Sequence, residues 1–125
     1  MHILYGGEFM AYTYSEYVPI IKAISDETRL KIVDLLSCGE MCACDILELV
    51  NISQSTLSYH MKILTESGLI NGVKDGSWVR YSIDNEKSKW LLSFLNRLTE
   101  EKEECICKKI NTDEKNCCHQ KEEIL

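Results

Sequence analysis

The chain has 125 residues, of which 45% are hydrophobic, and these values predict a single globular domain rather than a disordered protein. No apolar run reaches the roughly 18–20 residues that a membrane span needs, and the first residues do not resemble a signal peptide. We therefore expect a cytoplasmic protein with no membrane partner. The net charge of −6 excludes a uniformly basic nucleic-acid binder, but about half of the acidic excess lies in residues 100–125, and residues 51–82 are slightly basic.

Seven cysteines are many for a chain of this length. An odd number without an export signal favours free thiols that bind metal or react, rather than structural disulfides.

Three segments are expected along the chain: an N-terminal arm (1–14), a folded domain (15–104) and a polar, cysteine-containing tail (105–125). Residues 1–9 are predicted to be an artefact of start-site choice, with Met10 as the natural start. The codons for Gly6 to Phe9 can read as a ribosome-binding site ahead of Met10. The alternative is a genuine flexible arm.

The first two helices are predicted from apolar spacing and cap residues. Tyr17, Ile20, Ile21 and Ile24 lie at helical spacing, and Pro19 is tolerable there only in the first turn. Ser25 and Asp26 open a second helix that runs from Glu27 to Leu36 and is stopped by Gly39.

A pair of helices in the middle of the chain is predicted to be joined by a tight turn. The first runs from about Ala43 to Val50, the turn is 51–53, and the second runs from Gln54, capped by Ser53, to Glu66. On this second helix the expected buried row is Leu57, Met61 and Leu64.

A hairpin and a last helix complete the predicted domain. Two β-prone runs, 69–74 and 77–83, flank Asp75-Gly76, which is a strong turn signal. The last helix is expected from Asn85 to Glu104, with Leu91, Phe94, Leu95 and Leu98 as its apolar stripe. The fold class is therefore α+β, mostly α: a winged helix-turn-helix with a two-stranded β-hairpin as its wing.

The outer row of the second helix of the pair is predicted to read DNA in the major groove. All its side chains can hydrogen-bond and only one is charged, whereas an ordinary solvated face carries more charge. Gln54 can read adenine, and the cationic side chains can neutralise phosphates. The predicted DNA-binding residues are Ser53, Gln54, Ser55, Thr56, Ser58, Tyr59, Lys62, Lys74 and Arg80. The alternative is a small α+β domain with a polar surface helix. His60 is expected to pack or hydrogen-bond rather than to contact a base.

Three segments, 26–32, 40–46 and 53–64, resemble the signature segments of the ArsR/SmtB family of metal-sensing repressors. The resemblance covers about residues 16–100. It implies a homodimer formed through the first and last helices. It also implies that the metal-free form binds double-stranded operator DNA and represses an operon for resistance or efflux.

Cys42 and Cys44 are the predicted metal site. Thiolates are soft ligands that suit trivalent arsenic or antimony, cadmium, lead and copper(I). From the pair alone, the alternative is that two small side chains simply pack. The resemblance implies an inducer site for As(III)/Sb(III), or for Cd(II)/Pb(II), and no metal is expected to be needed for folding. The family's zinc site in the last helix is expected to be absent.

The identity of a third ligand stays open in the sequence. Some arsenic sensors have a third cysteine where this chain has Leu47. A third sulfur, if needed, would come from the partner subunit or from one of five cysteines in this chain: Cys38, Cys105, Cys107, Cys117 or Cys118. The alternative third ligand is a small non-protein molecule.

A switch is also expected at this site. Residues two apart on a regular helix do not face each other, so the helix start must unwind or not form for Cys42 and Cys44 to hold one ion. Ion capture would then tilt or loosen the DNA-reading helix.

The predicted function is a DNA-binding repressor that releases its operator when Cys42 and Cys44 capture a metal or metalloid. The alternatives are a redox-sensing repressor that uses the same thiols, and a cytoplasmic thiol metal buffer. An enzyme is not expected, because the sequence shows neither a phosphate-binding glycine loop nor a nucleophile arrangement.

Overall fold

The structure is a computed structural model that describes residues 13–101. Residues 13–93 form one compact unit, and the described residues from Phe94 onward belong to a second, which is treated by itself. The elements in chain order are α1 (Tyr14–Ala23), α2 (Glu27–Leu36), β1 (Met41–Cys42), α3 (Ala43–Val50), α4 (Gln54–Glu66), β2 (Ile70–Asp75), β3 (Trp78–Ile83) and α5 (Asn85–Thr99).

The first helix begins earlier than its apolar spacing predicts. Thr13 is the N-cap of α1, so Tyr14 lies in the helix rather than in an arm, and Pro19 lies inside the helix rather than in its first turn. The expectation for Pro19 was therefore wrong. The polar first turn explains the early start, because Glu16 interacts favourably with the helix N-terminus. Pro19 removes one helical hydrogen bond on an exposed face, where water can replace the missing donor.

The bounds predicted for α2, α3 and α4 are confirmed, and cap residues explain them. Asp26 accepts the backbone N–H of Arg29 at 3.1 Å at the start of α2. Asn51 ends α3 in the left-handed conformation with φ 55°, which asparagine tolerates better than most residues. Ser53 then caps α4 by accepting the N–H of Thr56 at 3.1 Å.

The predicted two-stranded hairpin is confirmed, and β1 extends it to a three-stranded antiparallel sheet in the order β1-β3-β2. The added strand β1 pairs Met41 with Tyr81 and Cys42 with Arg80. A strand of two residues shows no periodicity that a sequence reading could detect. On the other side of β3, Gly72 faces Tyr81, and a Cβ at Gly72 would lie 2.9 Å from the tyrosine ring. This close approach explains the glycine.

The hairpin turn lies one residue later than Asp75-Gly76. Asp75 pairs with Trp78, so the two-residue loop is Gly76-Ser77. Gly76 has φ +69°, and a glycine at the first central position is typical of a type II′ turn, whose twist matches that of the strands.

The core lies between the helices and the sheet. Its most buried large side chains come from α1, α2, α3, α4 and β2: Ile20, Ile32, Ile46, Met61, Leu64 and Ile70. All three residues of the predicted buried row on α4 are buried, so this prediction is confirmed. Each such side chain contributes about 1.5–3 kcal/mol when it leaves water. Tyr17 stacks on Trp90 with ring centroids 4.2 Å apart, which joins α1 to the start of α5.

The last helix, α5, ends at Thr99 rather than at Glu104. Leu91 and Phe94 are buried, whereas Leu95 and Leu98 are exposed, so only half of the predicted stripe is covered. Between residues 13 and 101, no helix has both the length and the apolar character to cross a membrane. The predictions for the start at Met10 and for Cys105, Cys107, Cys117 and Cys118 lie outside the described residues.

Candidate DNA-reading surface and thiol site

The outer row of α4 is exposed over its whole length, as its polar pattern predicts. Tyr59 is the most apolar member and still has 60% of its surface in contact with solvent. The exposed residues of this row and of the preceding turn are Ser53, Gln54, Ser55, Thr56, Ser58, Tyr59 and Lys62. The structure thus brings all predicted residues of the helix onto one accessible surface.

These residues have two kinds of surroundings: hydroxyls that hydrogen-bond one another at the helix start, including Ser55 at 3.3 Å from Ser53, and side chains that line a cavity. The Ser53 hydroxyl caps the helix and donates to the Thr56 hydroxyl at 2.9 Å, so both side chains support the helix start. Gln54 and Ser58, by contrast, line a cavity of about 130 Å³ that reaches the tip of the hairpin. This cavity also contacts Trp78, which was not among the predicted DNA-binding residues. The sequence signal for Trp78 was its alternation with Val79 along the second β-prone run, which puts it on the same face as Arg80.

The three predicted phosphate-binding cations differ in their surroundings. Lys62 forms an ion pair with Glu66 at 2.9 Å, and the hydrogen bond to that carboxylate raises the pKa of Lys62. Lys74 is exposed on β2. Arg80 lies between two carboxylates, with Nε 3.6 Å from Glu40 and Nη1 3.8 Å from Asp75.

His60 lies on the buried side of α4, which confirms a packing and hydrogen-bonding role. Its exposed fraction is 9%. Nδ1 of His60 lies 3.0 Å from Nη1 of Arg29, and Nε of Arg29 donates to the carbonyl of Ala23 at 2.6 Å. Arg29 therefore connects α2 with the buried side of α4 and with the end of α1.

Cys42 and Cys44 lie at the junction of β1 and α3. Cys42 has extended backbone and is the N-cap of α3, where its sulfur accepts the backbone N–H of Cys44 at 3.3 Å. In this structure the two sulfur atoms are joined as a disulfide. The prediction allowed either a helix start that unwinds or one that does not form at Cys42, and the second case agrees with the extended backbone of Cys42. Cys42 precedes the helix, and the change of direction at the cap brings the two sulfur atoms together while α3 stays intact.

Asp45 is the third potential donor at this site. One side-chain atom each of Cys42, Cys44 and Asp45 lies within 4.8 Å of the others. Cys38 is exposed and is not part of this group. Asp45 was missed as a donor, although it directly follows Cys44 in the sequence. Two sulfurs and one carboxylate fit a thiol-seeking ion, because the soft donors outnumber the hard one.

A helix pair with an exposed polar second helix, followed by a β-hairpin, defines a winged helix-turn-helix transcriptional regulator. The model of the bacterial regulatory protein, arsR family, matches residues 26–72. The chain is 41% identical over 100 residues to the arsenical resistance operon repressor of Staphylococcus aureus, covering 80% of this chain and 96% of that protein. The chain belongs to the arsR family.

Two further relatives support the same conclusion. A cadmium resistance transcriptional regulatory protein CadC homolog of Staphylococcus aureus is 40% identical over 74 residues, covering 58% of this chain and 61% of that protein. The homodimeric winged helix-turn-helix DNA-binding domain of a possible ArsR-family regulator from Mycobacterium bovis superposes with a TM-score of 0.58. It is 25% identical and covers 68% of this chain and 79% of that chain.

Proposed function

We propose that this protein is a repressor of an arsenical resistance operon that releases its operator when trivalent arsenic or antimony binds Cys42 and Cys44. The observation that carries this proposal is the position of the thiols. Cys42 caps α3 and Cys44 lies in its first turn, and α3 directly precedes the DNA-reading helix α4. The 41% identity with an arsenical resistance operon repressor supports arsenic as the ligand.

The sulfur atoms of the two thiols explain which ions the site prefers. A reduced Cys42–Cys44 pair offers two soft sulfurs, and Asp45 adds an oxygen within 4.8 Å. Sulfur donors favour arsenic, antimony, cadmium and lead over hard cations such as magnesium. Arsenic and antimony are the primary inducers in this proposal, and cadmium and lead are secondary ones. A third sulfur, if one binds, comes from Cys38, from the tail or from the partner subunit.

The DNA side of the proposal assigns α4 to the major groove and the hairpin to the adjacent backbone. Gln54, Ser55 and Ser58 contact base edges or phosphates, while Lys62, Lys74 and Arg80 contact phosphates. The protein acts as a homodimer, because a second copy supplies the second half-site. Operator DNA lies in the cytoplasm, so the protein acts there, as a regulator rather than as an enzyme.

A DNA-release titration tests this function. Reduced protein is bound to fluorescent DNA from upstream of its own operon, and anisotropy is followed with arsenite, antimonite, cadmium, lead and zinc. We expect release with arsenite and antimonite at the lowest concentrations. Cys42→Ser and Cys44→Ser should still bind DNA but should not release it.

A Cys38→Ser variant tests whether Cys38 supplies the third sulfur. Cys38 is exposed and lies outside the donor group, so its loss should leave the arsenite response unchanged, and a weaker response would identify Cys38 as the third sulfur. A Cys42→Ser protein that releases DNA at the wild-type arsenite concentration would refute the proposed site.

A redox-sensing repressor is the second candidate, and the Cys42–Cys44 disulfide favours it. Oxidation of the two thiols by peroxide removes two protons and two electrons and forms the sulfur–sulfur bond. If this is the signal, hydrogen peroxide releases the operator without metal, and a dithiol reductant restores binding. Release by arsenite under reducing conditions distinguishes the metalloid response from the redox one.

A further inference from the structure

The thiol site is connected to the hairpin as well as to the DNA-reading helix. Cys42 is the second residue of β1, and it pairs with Arg80 in the middle of β3. The same Cys42 caps α3 through its sulfur. One residue therefore belongs to the thiol site, to the helix start and to the sheet that carries the wing.

Arg80 joins these elements a second time through its side chain. Its guanidinium lies 3.6 Å from the Glu40 carboxylate, which directly precedes β1, and 3.8 Å from Asp75 at the end of β2. The arginine thus has one carboxylate neighbour on the thiol side of β3 and one on the hairpin side. Arg80 is also a proposed phosphate contact, so its placement affects DNA binding directly.

We propose that Arg80 is the positioning residue through which occupation of the Cys42–Cys44 site weakens the wing's contact with DNA. This inference rests on the function proposed above, because it assumes that a thiol-seeking ion is the signal. It adds a route through β1 and β3 to the expected route through α3 and α4.

The Cys42 sulfur has little room to move by side-chain rotation alone when it binds an ion. Cys42 is buried, with 9% exposure, and a cysteine has a single side-chain torsion that places its sulfur. A sulfur that moves onto an ion and stops capping α3 must therefore be accommodated in part by the backbone of Cys42. That backbone is paired with Arg80, so the displacement reaches β3.

Two substitutions that each remove one negative charge beside Arg80 test whether the signal passes through β1 and β3. If only the net charge around Arg80 matters, both should have the same effect. Glu40→Gln and Asp75→Asn each remove one carboxylate beside Arg80, but only Glu40 lies next to β1. Both variants should bind DNA more tightly than wild type, because each leaves Arg80 less neutralised. The measured quantity is the ratio of the DNA dissociation constants with and without arsenite.

We expect Glu40→Gln to reduce this ratio by about twofold or more, within the range reported for residues that carry coupling between two sites. Asp75→Asn should keep the wild-type ratio. An unchanged ratio in Glu40→Gln, or an equal loss in both variants, would overturn the inference. Absorbance of the arsenic–thiolate bonds in DNA-free protein checks that Glu40→Gln still binds arsenite as wild type does.

A second pair of variants tests the role of Arg80 itself. If arsenite removes the contact that Arg80 makes with DNA, Arg80→Ala has already lost it and should show a smaller ratio than wild type. Lys31→Ala on α2 removes an exposed cation outside the proposed DNA contacts and should keep the wild-type ratio. An equal ratio in both variants and wild type would contradict the proposal. A wild-type protein that binds arsenite but keeps its DNA would instead contradict the proposed function.

Discussion

The Arg29 guanidinium lies 3.0 Å from Nδ1 of His60, and this contact joins α2 to the buried side of α4, the helix proposed to read DNA. Arg29 also donates to the carbonyl of Ala23 at 2.6 Å. Since His60 is buried and Nδ1 has this guanidinium beside it, the orientation of α4 depends on a side chain that belongs to another helix.

Replacement of Arg29 by methionine should therefore lower stability and weaken operator binding together. Arg29→Met leaves the His60 nitrogen and the Ala23 carbonyl without their partner, which costs about 1–3 kcal/mol of unfolding free energy. Urea denaturation measures this loss. Lys31→Met, an exposed cation on the same helix, is the control and should change stability by less than about 0.5 kcal/mol. Equal stability of the two variants would show that the Arg29 contacts carry no net free energy.

The sequence predicted the elements whose ends are marked by local chemistry. Asp26 and Ser53 each cap a helix by accepting a backbone N–H three residues later, so α2 and α4 were placed correctly. The strand β1 was missed because two residues have no period. Its pairing partner Arg80 is distant in the sequence, and so are the carboxylates beside that arginine. Long-range relationships of this kind determine the wing and the surroundings of the thiol site, and no local pattern encodes them.

Two aspartates at helix starts make stability depend on pH in the acid range. Asp26 accepts the N–H of Arg29, and Asp84 accepts the N–H of Lys87 at 3.0 Å. These backbone hydrogen bonds are the main cause of a lowered pKa for each carboxyl relative to 3.8. A lowered folded-state pKa means that the stabilisation is complete above the unfolded value and is lost as pH falls through the folded value.

The double substitution Asp26→Asn/Asp84→Asn should remove this part of the acid dependence. Asparagine still caps a helix but does not titrate, so folding at neutral pH should be retained. Melting temperatures measured between about pH 5 and pH 2.5 should fall less steeply in the variant than in wild type. Parallel curves for the two proteins would exclude the caps as the source of the acid sensitivity.

Base reading and phosphate binding should separate in two further variants. Gln54 is exposed at the start of α4, and Gln54→Ala should reduce discrimination between operator and random DNA by about 1–3 kcal/mol. Lys74→Ala should weaken binding to all DNA sequences similarly. A plot of log affinity against log salt concentration should become less steep, by about 0.9 in slope, because one phosphate contact is lost. Anisotropy titrations at several salt concentrations measure both effects. If Gln54→Ala weakens the affinity for operator DNA and for random DNA by the same factor, Gln54 does not read a base.

Exposed apolar residues on the first and last helices predict a dimer in solution. Val18 and Ile21 on α1 are 43% and 36% exposed, and Leu95 and Leu98 on α5 are 36% and 45% exposed. On each helix these residues are three apart, so each pair lies on one face, and such faces are typical of subunit interfaces.

A charge introduced into one of these faces should break the dimer. Leu98→Glu places a carboxylate at a proposed interface, where its burial without a partner is unfavourable. The variant should sediment as a monomer at micromolar concentration, whereas wild type sediments as a dimer with or without arsenite. Leu49→Glu on α3, where the leucine is 56% exposed, is the matched control and should remain dimeric. The monomer should also lose operator affinity, because a single copy contacts one half-site. A Leu98→Glu protein that stays dimeric while Leu49→Glu dissociates would move the interface from the last helix to α3.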